Sequence, residues 1–156
     1  MEITIRRYTD SDWVPVCTVI LHTVYKVFPK DQPRKAISIY ESQFHPIKGA
    51  ARKDMQTRGR VTFVACKGKK IIGVIRGRPG ARIGQLYVAE VFQGKGVGRA
   101  LLHTFFIYSK KKGERIGRVR ATRSAVPFYQ KVGFRRVGGI RRGKDFIYQP
   151  MRIVLS

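Results

Sequence analysis

The stretch at residues 91–102, "VFQGKGVGRALL", places Gly94, Gly96 and Gly98 between an apolar run and a helix-like one. Glycine accepts positive φ and close backbone approach, so a chain turning here directs several amides at one point ahead of a helix. The helix dipole favours negative charge at that point, and Lys95 and Arg99 add mobile cations. A phosphate is the natural guest of such a strand-turn-helix. Two common phosphate loops do not fit. A P-loop needs a Gly-Lys pair followed by Ser or Thr, and no Gly-Lys pair in this chain has one. A dinucleotide turn, G-x-G-x-x-G, would need a third glycine where Arg99 or Leu101 stands. What fits is Q-x-x-G-x-G, as Gln93, Gly96 and Gly98.

Hydrophobic periodicity places the turn within a longer order of elements. "ITIRRY" (3–8) alternates as a first strand, and Thr9 or Asp10 in "TDSDW" caps a helix reaching about Tyr25. "FPKDQP" (28–33) should break that helix through two prolines, with Pro33 opening a second helix through roughly Phe44 and His45-Pro46 ending it. Residues 48–60 are polar with no clear face. "RVTFVACKGKKIIGVIRGR" reads as a hairpin turning at "KGKK", and "ARIGQLYVAE" as a further strand. After the glycine turn, Val97, Leu101, Leu102, Phe105, Phe106 and Tyr108 recur at helical spacing as far as "KKKG", where Gly113 can cap. "RIGRVRAT" is then a strand, "SAVPFYQKVG" a short helix, and "FRRVGG" with "FIYQPMRIVL" a final strand pair. The order β-α-α-β-β-β-α-β-α-β-β predicts a mixed α/β fold, one domain over residues 1–156.

Composition limits the partners. The net charge is +24, and it is uneven: residues 1–60 hold 11 Lys/Arg against 6 Asp/Glu, while residues 61–156 hold 22 against Glu90, Glu114 and Asp145. Such a field attracts polyanions and repels polycationic substrates. "SKKKGERIGRVRATR" and "RRVGGIRRGK" are clusters that can neutralise several phosphates, although they lack a regular aromatic interleave for base stacking. Cys17 and Cys66 sit in apolar stretches without a second metal-type ligand nearby, which predicts buried free thiols and no metal site. No apolar run approaches the ~18 residues of a membrane span, and "MEITIRRYTD" lacks the apolar region of a signal peptide, so a cytoplasmic protein is expected.

"QLYVAEVFQGKGVGRALL" followed by "SAVPFYQKVGF" resembles the two central motifs of the GNAT superfamily of acetyl-CoA-dependent N-acetyltransferases. The resemblance implies a central twisted mixed sheet of six or seven strands flanked by about four helices. It implies that Gln93, Gly94, Lys95, Gly96, Val97 and Gly98 hold the pyrophosphate of coenzyme A, with Arg99 beside them. The backbone of Leu86, Tyr87 and Val88 would hold the pantetheine arm and acetyl carbonyl, in an opening where the next strand splays away. Two departures stand out. Glu90-Val91-Phe92 replaces the family's frequent Pro-Glu pair before the aromatic and Gln. Thr122 stands three residues before Ala125 where the family often has Asn, which leaves Thr122 as the polar contact to the cofactor arm.

Attack of an amine on a thioester needs a neutral amine, a donor set for the oxyanion and a proton for the departing thiolate. By the resemblance, Tyr129 donates that proton and the Val88 amide meets the oxyanion; "VPFYQ" is similar to the arylalkylamine N-acetyltransferase branch, and Phe128 is given to packing. For the general base, Glu90 is the only acid between Asp54 and Glu114 and is the best carboxylate candidate. His22, His45 and Glu41 flank the acceptor side, and His103 points away from the turn. The primary function expected is acetyl transfer to a primary amine, neutral or acidic rather than polycationic. The alternative is a nucleic-acid-associated binding module on the same scaffold, acting on an RNA-carried amine. A monomer or homodimer is expected, without membrane contact.

Overall fold

The computed structural model describes residues 1–57 and 59–156. Its strands are β1 (Thr4–Arg7), β2 (Val61–Lys67), β3 (Lys70–Arg78), β4 (Arg82–Val88), β5 (Ile116–Ala121), β6 (Arg135–Arg136), β7 (Arg141–Arg142) and β8 (Ile147–Val154). Its helices are α1 (Trp13–Asp31), α2 (Arg34–Gln43), α3 (Val97–Lys111) and α4 (Val126–Lys131). The strands form one mixed sheet in the order β1-β2-β3-β4-β5-β8-β6, with β7 also on β8. All pairings are antiparallel except β4 with β5. Eight strands thus replace the six or seven expected. The extra one is β7, because Gly138 turns the chain at φ 70° and lets Arg141–Arg142 pair with Ile147 and Tyr148.

The two faces of the sheet carry separate cores. On one, α1 and α2 bury Trp13, Ile20, Phe28 and Phe44 against Val64 and Val74. On the other, Leu101 and Phe105 of α3 and Tyr129 of α4 pack on Ile75, Ile83, Val119 and Met151. The first helix departs from expectation. It runs on to Asp31 with Pro29 inside it: the proline forfeits one intrahelical bond, and fully buried Phe28 anchors the last turn against that loss. Pro33 then caps α2 rather than opening it. Residues 48–57, 59 and 60 form turns around a short 3₁₀ segment at Arg52–Asp54, with Ala51 and Met55 buried; position 58 of that polar stretch lies outside the described residues. Cys17 and Cys66 are free and buried.

Candidate active site

The site begins as a defect in strand pairing. β4 and β5 meet only at Arg82↔Arg118 and Ile83↔Val119. Beyond that, β4 stays with β3 as far as Val88, and β5 stays with β8 as far as Ala121, so the seam opens toward their C-terminal ends. Its cause is one residue. Opposite consecutive Arg76 and Gly77 of β3, the β4 partners jump from Gln85 to Ile83, leaving Gly84 as the extra residue of a bulge. A bulge bends its strand and raises the local twist. Glycine suits the position, since a Cβ there would stand 3.2 Å from the Arg76 carbonyl oxygen.

The bared edge of β4 has a defined polarity. The Ala89 N–H donates to the Ile72 carbonyl at 2.8 Å. Strand alternation then turns the N–H and C=O of Val88, and of Leu86 before it, away from β3 and into the opening. Gln93 Nε2 donates to the Val88 carbonyl at 2.9 Å. The side chain of the first residue of the Q-x-x-G-x-G motif therefore fixes the end of the strand.

The three glycines of the turn serve two purposes. Gly94 and Gly96 have φ of 74° and 85°, with nothing within 4 Å of the point where a Cβ would stand; they are glycine for the backbone's sake. Gly96 is the left-handed cap of α3, and no side chain caps that helix. The Ala100 N–H donates to the Gly96 carbonyl at 3.0 Å, while the amides of Val97, Gly98 and Arg99 are the orphan donors of the first turn. Gly98 is glycine for space, because a Cβ there would stand 3.1 Å from the Phe128 ring. Cations gather beside the turn. The Nζ atoms of Lys67, Lys70 and Lys95 lie 5.6, 5.8 and 6.0 Å from the centre of the Phe92 ring, so the β2–β3 hairpin contributes two lysines whose sequence context points only to a turn. Arg99 is exposed.

Tyr129 is 5% exposed and meets Phe128 and Phe134 edge-on, at 5.2 and 5.1 Å between ring centres. Burial, helped by Tyr40, pushes its phenol above the ordinary tyrosine range. Tyr87 donates from its hydroxyl to that of Tyr40 at 3.3 Å, and burial raises its phenol as well. At the end of β5 the Thr122 hydroxyl lies 3.3 Å from that of Ser124. The Ser124 N–H and hydroxyl both reach Asp31 Oδ2, at 3.2 and 3.3 Å. Between α1 and this seam lies a cavity of about 340 Å³, whose lining includes His22, Lys26, Asp31, Glu90, Gln93 and Ser124.

Glu90 lies in a 3₁₀ turn, Glu90–Phe92, directly after β4. Its carboxylate contacts Lys26 Nζ and lies 3.9 Å from His22 Nε2. The Lys26 hydrogen bond, then its charge, hold that carboxyl below the usual carboxylate range. Glu41 accepts a hydrogen bond from the Tyr25 hydroxyl at 2.7 Å. His45 Nδ1 accepts from the backbone N–H of Ile47 and Lys48, at 3.1 and 3.3 Å, closing the turn after α2. His103 is exposed on α3. Lys26, Asp31 and Ser124 join the site without having stood out in the sequence. The signal for Lys26 is the i, i+4 spacing of His22, Lys26 and Lys30, hidden when the helix is ended at Tyr25.

Comparison with known proteins gives a consistent result. The family model of the acetyltransferase (GNAT) domain matches residues 29–155. An uncharacterized N-acetyltransferase of Methanocaldococcus jannaschii is 35% identical over 77 residues, 47% of this chain and 34% of that protein. That match spans about a third of the relative's length. Among solved structures, a GCN5-related N-acetyltransferase from Rhodopseudomonas palustris superimposes with a TM-score of 0.83 at 19% identity, covering 99% of this chain and 97% of the other. The PaiA N-acetyltransferase from Thermoplasma acidophilum, in complex with coenzyme A, gives 0.80 at 23% identity, covering 97% and 98%. At these identities the two structures establish the fold.

Proposed function

The chain belongs to the acetyltransferase (GNAT) domain family, and from that premise we propose that it moves an acetyl group from acetyl-CoA to a primary amine by direct attack. The observation that carries this reading is the junction of an unpaired β4 edge with an uncapped glycine turn at its end. In this mechanism the amides of Gln93, Gly94, Lys95, Gly96, Val97 and Gly98 cradle the pyrophosphate, with Arg99 and the lysines around Phe92 supplying positive charge. The backbone of Leu86 and Val88 lines the arm on one side of the opening and Thr122 on the other; that of Tyr87, expected with them, faces Val74 of β3 instead. Acetyl-CoA supplies the activated acyl group, and the Val88 N–H receives the oxyanion as the amine adds to the carbonyl.

When the carbon–sulfur bond breaks, its electron pair leaves on sulfur and the Tyr129 hydroxyl gives up its proton there. Burial raises the phenol's pKa, so its hydroxyl is protonated when the thiolate departs. Glu90 stands with Lys26 and His22 at the cavity wall, and the amine's proton passes to its carboxylate directly or by way of water. Lys26 and Lys30 in that wall disfavour a polycationic acceptor and leave neutral or acidic amines.

Thiol release measured with acetyl-CoA and a panel of amines tests this scheme. Tyr129→Phe keeps the ring packing and is expected to lower kcat about 10²-fold or more, with the KM for acetyl-CoA within roughly twofold. An unchanged kcat would remove Tyr129 as the acid.

A further inference from the structure

The sheet register lines up five arginines. Arg78 of β3 lies opposite Arg82 of β4, Arg82 opposite Arg118 of β5, Arg118 opposite Arg152 of β8, and Arg152 opposite Arg135 of β6. Directly opposed residues share a face of a sheet, and all five side chains are exposed. Their neighbours Ile83, Val119 and Met151 are buried beneath α3 on the other face. At about 4.8 Å per strand the row is about 19 Å long. Arg120, two positions along β5, lies over the Tyr148 ring at 5.1 Å, and Arg141 pairs opposite Tyr148. α1 and α2 share this side of the sheet but pack on Val64, Val74 and Tyr87, leaving the β5–β8–β6 half open.

Such a row is unfavourable in isolation. Like charges directly opposed across strands destabilise a sheet, and among the described residues none of the five has a carboxylate partner. At the β3 end, Arg60 and Arg76 have buried Nε atoms with no hydrogen-bond partner among the described residues. Among the described residues the Arg76 guanidinium donates only to Gln85 Oε1, at 3.3 Å, and burial, with Arg60 and Arg78 nearby, lowers its pKa from the ordinary arginine value. The repelling line is complementary to an anion with a comparable repeat.

We propose that this face binds a single-stranded polynucleotide, its phosphates along the arginine row and a base on Tyr148. Every position of the row is arginine, whose planar fork takes phosphate oxygens in pairs. Consecutive phosphates of an extended single strand stand about 6 Å apart, so about 19 Å of row meets three or four of them. Sheet twist rotates the row by about 20–25° per strand. A flexible single strand follows that curve, whereas a duplex stiff over about 150 bp and a planar bilayer do not. An aromatic beside a basic track is the means by which single strands are held without sequence preference. The row lies at the closed end of the seam, about 20 Å along β4 from the glycine turn, so this binding is independent of the acetyl-transfer reading and tested apart from it.

Fluorescence anisotropy of labelled 20-mer oligouridine and oligothymidine with the full chain, from 50 to 300 mM salt, decides the matter. Both are expected to bind, more weakly as salt rises. Arg118→Ser/Arg152→Ser is expected to lower affinity tenfold or more and reduce the salt slope by about 1.4, at ~0.7 per phosphate contact on a single strand. Lys48→Gln/Lys53→Gln removes equal charge elsewhere and should stay within twofold. The row variant's melting temperature should hold or rise, because opposed like charges are gone, which separates lost binding from lost folding. Equal losses in the two double variants, or tighter binding to a 20-bp duplex, polyglutamate or phosphatidylserine vesicles, would overturn the proposal.

Discussion

Gly96 has a φ of 85° and open space where a side chain would begin, whereas Gly98 has an ordinary helical backbone and the Phe128 ring in that place. The two therefore respond differently to the same change. Gly96→Ala is expected to cost about 1–2 kcal/mol through left-handed strain alone. In Gly98→Ala, a gain in helix propensity of up to about 1 kcal/mol offsets the push on Phe128, so stability is expected to change little. Because Phe128 packs edge-on against Tyr129, that push should appear in turnover instead. Urea unfolding of both variants checks the contrast; equal losses of stability would contradict it. In sequence the three glycines look equivalent, because side-chain space at Gly98 is defined by a helix about thirty residues away.

At the scale of elements, α3 sits on β3 through glycines. A Cβ at Gly77 would lie 2.1 Å from Phe105 Cε1, and one at Gly73 would lie 3.1 Å from Leu101 Cδ1. Gly77→Ala is accordingly expected to destabilise by about 1–3 kcal/mol through overpacking. Trimming the opposing ring in Gly77→Ala/Phe105→Leu should recover part of that loss, giving a double variant more stable than the sum of its parts. Strict additivity would show that the two do not meet. The periodicity of Leu101, Leu102 and Phe105 makes α3 legible in the sequence, while its seat on β3 is not. The extent of α1 escapes the sequence for a related reason: local rules end a helix at "FPKDQP", and the buried Phe28 outweighs them.

The whole molecule carries +24 with few acids to oppose it, so each paired carboxylate matters. Asp12 is 5% exposed, takes two hydrogen bonds from Arg6 at 2.7 and 2.9 Å, and accepts the Thr9 N–H at 2.8 Å. The Arg6 hydrogen bonds hold its carboxyl below the usual range. A depressed folded value adds stability that is present above the unfolded value of about 3.9 and is lost as pH falls through the folded one. Denaturation midpoints should be level from about pH 8 to 5 and drop below about pH 4. Asp12→Asn should cost about 1–3 kcal/mol at neutral pH and flatten the acid drop; an unchanged acid limb in that variant would exclude Asp12 as its source. By itself the sequence determined the order of elements, the phosphate-type turn, the helix that carries Tyr129 and the basic field, since these rest on allowed φ, hydrophobic period and composition. Only the tertiary structure decided the seam that Gly84 opens, the α1 wall that ties Glu90 to Lys26, and the arginine row. Each depends on register between segments distant in the chain, where a slip of one residue would turn every one of those side chains to the opposite face.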